Sequence, residues 1–193
     1  MTRTFHLPRR VAVLWRDCRD DRASQIVEFA LSLPLLVLFV VGIFDFSGAI
    51  TLKQKLTNAA REGARIAAAD PATDLGDPST TVPASVSDAY QVVDNYLLSE
   101  NINDCGLAGT TPALTPTLTW TSPALTGCPG GTGLVLTIQR GCTAAQGALS
   151  VINTCVTLKY PYKWRFNSVS GLVGGTFIGP TTITTTATAF NEN

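Results

Sequence analysis

The stretch from Ser24 to Phe46, SQIVEFALSLPLLVLFVVGIFDF, decides how the rest of the chain is read. Between Glu28 and Asp45 it runs for 16 residues without a charge. From Ile26 to Phe44 it has 19 residues, about 28 Å as a helix, close to a hydrocarbon core of about 30 Å. A core helix of a soluble protein is seldom apolar on every face. Pro34 removes one backbone hydrogen bond, a loss that membrane helices tolerate. A cleavable secretory signal, cut near Ser47-Gly48-Ala49, is the weaker reading. The apolar run is long for a signal, and acids bracket it. Glu28 asks for a reason of its own, because a carboxylate at the centre of a spanning helix costs about 2.5–3.5 kcal/mol, and less near the ends. The plainest account is an interfacial carboxylate favoured by the positive end of the helix dipole.

Working outward, charge and cysteine placement agree with an anchor. The chain has 193 residues, with 14 basic and 14 acidic side chains, so no global charge points to a nucleic-acid partner. Arg3, Arg9, Arg10, Arg16, Arg19 and Arg22 precede the run. Only Lys53, Lys55 and Arg61 follow within the next 20 residues, so positive-inside counting places the N-terminus in the cytoplasm. Cys18 lies before the run, and Cys105, Cys128, Cys142 and Cys155 lie after it. An even count in an exported domain suggests two disulfides, and four cysteines allow three pairings. Their spacings, with no histidine nearby, disfavour zinc.

The helical pattern does not stop at the membrane. In DFSGAITLKQKLTNAAREGARIAAAD, residues Phe46, Ala49, Ile50, Leu56, Ala60, Ala64 and Ala67 recur at helical spacing. Alanine is the best helix former, and no proline occurs between Pro34 and Pro71. One helix from about Ser24 to Ala69 is therefore expected. Small residues permit close backbone approach, so Ala60, Gly63, Ala64 and Ala67 should face a packed surface. Arg61 and Arg65 share another face, and Glu62 reaches Arg65 only at i,i+3.

After Pro71 the chain becomes turn-rich. SVSDAYQVVDNYLLSEN reads as a short helix with Ser85 near its cap and Ala89, Val93, Tyr96 and Leu97 on its buried side. A strand is expected around Trp120. Three later segments alternate: Leu134, Leu136 and Ile138; Val156, Leu158 and Tyr160; and Ile183, Ala187 and Ala189. That alternation, punctuated by Gly and Pro, argues for an antiparallel sheet. GLVGGTFIG, at 171–179, reads as a glycine-rich turn. A hairpin of the 134–140 and 155–160 strands would set Cys142 and Cys155 on either side of its connecting loop, which predicts Cys142–Cys155. Cys105–Cys128 then follows by elimination.

At two places the sequence resembles the TadE-like family, the minor pseudopilins of tight-adherence (Flp-type) pilus systems. The matching elements are ASQIVEFALSLPLLVLFVVGIFDF and LTNAAREGARIAAA, with weaker support from VTLKYPYKW and TTITTTATA. The resemblance implies cutting at the cytoplasmic edge of the apolar run, between Ala23 and Ser24, which leaves Glu28 fifth in the mature chain. Alanine stands at 23, where the family usually has glycine. The resemblance also implies partners: a prepilin-type peptidase, other pilus subunits, an inner-membrane assembly platform and membrane lipid, but no nucleic acid.

No catalytic constellation is evident. His6, the only histidine, is in the leader, no CxxC occurs, and the acids after the anchor are scattered. Neither an enzyme nor a cofactor is expected. The reading is an α+β chain: a basic cytoplasmic leader at 1–23, a transmembrane and extended pilin-like helix at 24–69, and an exported domain at 70–193 with a small antiparallel sheet and one short helix. Its expected role is assembly of an adhesive pilus through packing and partner recognition. The rival is an unprocessed, single-pass anchored module whose outer domain binds a ligand.

Overall fold

The computed structural model describes residues 21–76, 81–116, 118–123, 125–128, 133–146, 149–165 and 181–191. Most of the basic leader with Cys18, and the glycine-rich turn at 171–179, lie outside the described residues.

Helix α1, Asp21–Ala69, is continuous through Pro34. It ends before Pro71, whose ring disfavours helical backbone in the residue ahead of it. Two compact units divide this helix. The first holds α1 up to Asp45, and the second begins at Phe46 and contains the rest of α1, a second helix and the sheet. The outer half of α1 thus belongs by its packing to the folded unit.

Helix α2, Ala84–Ser99, starts on Pro83 without a side-chain cap. Ser85, expected near the cap, is instead buried, and its backbone N–H donates to Asp74 Oδ2 at 2.9 Å. A carboxylate from the preceding turn therefore serves the helix start, a contact of no fixed sequence spacing. The C-terminus closes with Asn101 in the left-handed region at φ 56°. The Asn101 N–H donates to Leu98 O at 3.1 Å and the Ile102 N–H to Leu97 O at 2.8 Å, the paired bonds of a Schellman motif. Leu97 and Ile102 are both buried, supplying the apolar contact that accompanies it. The buried face carries Val86, Ala89, Tyr90, Val93 and Leu97. Tyr90, rather than Tyr96, is its buried tyrosine, and Tyr96 is only partly covered.

Strands β1 (Ala113–Thr115), β2 (Thr119–Thr121), β3 (Val135–Gln146), β4 (Leu149–Pro161) and β5 (Thr182–Phe190) form one antiparallel meander in chain order. Leu134, Leu136 and Ile138 turn inward together with Val156, Leu158 and Tyr160. Trp120 joins them from β2, opposite Ile138. Across from this face pack Leu56, Ala60, Ala64 and Ala67 of α1 and the apolar side of α2, which makes one core. The fold is α+β, with the outer half of α1 and α2 laid against the sheet.

Candidate assembly surface on the N-terminal helix

The two halves of α1 differ in what they can do. In the first, Ile26 is 70 % exposed, Leu31 80 % and Phe44 74 %, and none of the apolar window is buried. Apolar surface on this scale, with only Leu38, Val41 and Gly42 half-buried along the run, is unlike the core helix of a soluble domain. The helix is long and apolar enough to cross a membrane. Ser32, two residues before Pro34, donates its Oγ–H to Phe29 O at 3.1 Å, so its hydroxyl is satisfied within the helix.

Ala23 and Ser24 lie in the first turn of α1, and Glu28 is exposed. Ser24 and Glu28 are i,i+4 neighbours, about 6 Å apart along the axis. An α-amino group created at Ser24 would therefore sit one turn from this carboxylate.

In the second half the small residues are enclosed. Ala60 and Ala67 are fully buried, as is Ala64 very nearly. A β-carbon on Gly63 would lie 2.6 Å from Val93 Cγ2, with Val156 Cγ1 at 3.8 Å. Gly63 is thus what lets α1 approach α2 and β4 closely. The stripe is covered by the protein's own domain. Arg61 and Arg65 are exposed, and Arg65 bonds Glu62 at i,i+3. That hydrogen bond holds the Glu62 carboxyl below its usual range and raises the Arg65 guanidinium. Such exposed pairs are screened by solvent and contribute little. Replacing Ala64 with leucine should therefore cost about 1–3 kcal/mol by overpacking, while Arg61→Gln should stay within about 0.5 kcal/mol. Urea unfolding of the two variants checks this, and equal costs would mean that the stripe is not packed.

Two further devices fix the domain on α1. Lys55 Nζ lies 3.0 Å from Glu100 Oε2 and donates to Glu100 O at 3.2 Å, joining α1 to the end of α2. Arg140, on β3, is 2 % exposed. Its Nη2 donates to Asp70 O at 2.9 Å and lies 3.7 Å from Asp74 Oδ1. Burial pulls this guanidinium below its ordinary value, and Asp74 and Asp70 oppose that. Arg140 was not singled out by motif, yet it continues the inward series of Leu134, Leu136 and Ile138 at the same period of two.

The cysteines meet as two pairs. Cys105 bonds Cys128 with Cα atoms 4.9 Å apart, and Cys142 bonds Cys155 at 5.9 Å. The second bridge does not flank a long loop. β3 and β4 stay paired as far as Gln146 and Leu149, and the bridge spans a bulge in the ladder between Gln139 and Cys142. Bulges increase local twist, which re-aims side chains across a ladder.

A cleft of about 400 Å³ opens beside α2, lined by Tyr90, Asp94, Leu107 and Thr110 among others. Asp94 is 7 % exposed. Burial raises its carboxyl above the usual range, with Asp104 adding to the rise. A raised carboxyl contributes stability below its unfolded pKa and loses it as pH climbs through the folded value. Among the described residues, no group of three His, Cys, Asp or Glu could hold a metal ion.

The family model of TadE-like proteins matches residues 23–65. It spans the exposed apolar helix and most of the small-residue stripe, so this segment is similar to TadE-like proteins. No curated protein and no solved structure gives a significant match.

Proposed function

We propose that this chain, TadE-like along its N-terminal helix, is a minor pseudopilin that takes part in assembling a tight-adherence pilus. The observation that carries the reading is where the family match lies. It begins at Ala23, leaves the arginine-rich leader outside, and continues along a helix whose first half is apolar and largely exposed. In this account residues 1–23 are a cytoplasmic leader. A prepilin-type peptidase cuts between Ala23 and Ser24. Residues 24–69 anchor the subunit and later serve as its packing surface, and residues 70–193 form the extracytoplasmic domain.

Glu28 then has a role beyond its place near the helix N-terminus. An apolar filament core disfavours any isolated charge, and a matched pair lowers that cost. The α-amino group of Ser24, in the same chain or a neighbour, is the natural partner. Other pilus subunits and an inner-membrane platform would meet the bare half of α1, because the small-residue stripe is already occupied by the protein's own α2 and sheet. The expected result for Glu28→Ala is normal cleavage and normal protein level with poor pilus assembly, read by sheared-pilus yield. Full pilus yield from this variant would remove Glu28 from the mechanism.

A specific residue favours a second reading. Alanine at 23, in place of the family's glycine, suits a subunit that is never cut and stays anchored as a binding module. The two readings differ in the mass of the mature N-terminus.

A further inference from the structure

Immediately beyond the charge-free run, α1 carries apolar surface that the domain leaves uncovered. Phe46 is 54 % exposed and Ile50, one turn later, 57 %. Against Phe46 packs the segment that follows β4. The Trp164 ring lies 5.2 Å from the Phe46 ring at 60°, and Tyr162 meets Trp164 edge-on at 4.9 Å. The Tyr162 N–H donates to Thr181 O at 2.8 Å, which ties this segment to the strand beside it. A β-carbon on Gly48 would lie 3.4 Å from the Tyr162 hydroxyl, so Tyr162 also sits beside α1 at Gly48. Lys163 and Arg165 alternate with the two rings and are exposed. The sequence Tyr-Lys-Trp-Arg thus presents rings and cations together, two residues past the end of the apolar run in the helix it packs on.

We infer that Phe46, Tyr162 and Trp164 form an aromatic clasp seated in the lipid headgroup layer where α1 leaves the membrane, with Lys163 and Arg165 bound to lipid phosphates. Tyrosine and tryptophan favour this layer because one end of each ring system is apolar and the other hydrogen-bonds water. Long basic side chains reach phosphates from the same depth. The position of Phe46 selects lipid over another protein surface, since it lies within one helical turn of Phe44, the last residue of the run. The clasp would hold the folded unit close to the bilayer before assembly. The inference rests on α1 crossing the membrane.

The test uses the full-length protein in vesicles of phosphatidylethanolamine and phosphatidylglycerol, with part of the lipid brominated either high on the acyl chain or near its terminal methyl. Subtracting the emission of a Trp164→Phe variant isolates Trp164 from Trp15 and Trp120. The expected result is co-flotation with the vesicles, quenching of Trp164 mainly by the high bromines, and weaker quenching in the K163E/R165E variant. Failure to co-float would overturn the spanning reading and the clasp with it. Co-flotation with Trp164 unquenched by either lipid would leave the anchor intact and overturn the clasp, whether water or a neighbouring protein covers the ring. Quenching unchanged by the charge reversal would overturn the phosphate contacts.

Discussion

Replacing Arg140 with alanine is expected to destabilise the folded unit by about 3 kcal/mol, at the lower end of what breaking a buried charge pair costs. The guanidinium is almost wholly enclosed, donates to the Asp70 carbonyl and faces Asp74, whose other oxygen accepts the Ser85 N–H. One side chain on β3 therefore pins the connection between α1 and α2 and indirectly the first turn of α2. Without it Asp74 keeps a partly buried charge with one partner fewer. The lower end is appropriate because the 3.7 Å separation is long and Asp74 keeps some contact with solvent. Arg140→Ala should lower the urea midpoint substantially, and adding Asp74→Asn should cost little more, because the two share one interaction. Additive losses would show that Arg140 works through packing alone.

Reducing the two disulfides should have an effect of similar size for each bridge. The bonded pairs are separated by 23 and 13 residues. Closing loops of that length restricts the unfolded chain by about 3 kcal/mol each, and removing a native bridge from a small exported domain costs about 2–5 kcal/mol. Cys105–Cys128 ties the end of α2 to the loop before β3, so Cys105→Ser should loosen that junction. Cys142–Cys155 lies within a ladder that hydrogen bonds already hold, so Cys142→Ser should leave the β3–β4 pairing in place while still lowering the midpoint. Unfolding of oxidised protein and of each serine variant, with non-reducing peptide mapping of the bridges, checks both statements. Crossed pairs, or midpoints indifferent to reductant, would contradict them.

The parts of the fold legible in the sequence are those set by local periodicity. An uncharged run of membrane-spanning length and a stripe of small residues declared one long helix, and α1 spans Asp21–Ala69. Strict alternation declared the inward faces of β3 and β4, and Leu134, Leu136, Ile138, Val156, Leu158 and Tyr160 are buried. Contacts between distant residues were not legible. Asp74 at the start of α2 displaces the expected role of Ser85, and nothing local favours Tyr90 over Tyr96 as the buried tyrosine. The length of the β3–β4 hairpin was underestimated because the bulge near Cys142 interrupts the alternation. Arg140 was hidden by its charge, although its parity along the strand put it on the inner face. The Tyr162–Trp164 pair gave no signal by spacing, since its meaning depends on Phe46, more than a hundred residues earlier in the chain.

Of the candidate site, the apolar run could be read directly, and the structure places Glu28 exposed near its start. The orientation of the small stripe could not. Glycine and alanine suit a neighbouring subunit as well as the protein's own sheet, and only the assembled core, with Gly63 against Val93, distinguishes them. If the chain is a pilus subunit as proposed, contacts with other subunits fall to the exposed apolar half of α1 and to exposed side chains such as Arg61.

The central claim, that the chain is a processed pilin-like subunit, is tested most directly by the mass of its N-terminus in cells with a working pilus system. The account predicts a mature protein that begins at Ser24, has lost Arg3, Arg9, Arg10, Arg16, Arg19 and Arg22, and keeps Glu28 as its fifth residue. An intact N-terminus in those cells, with pili assembled normally, would contradict it.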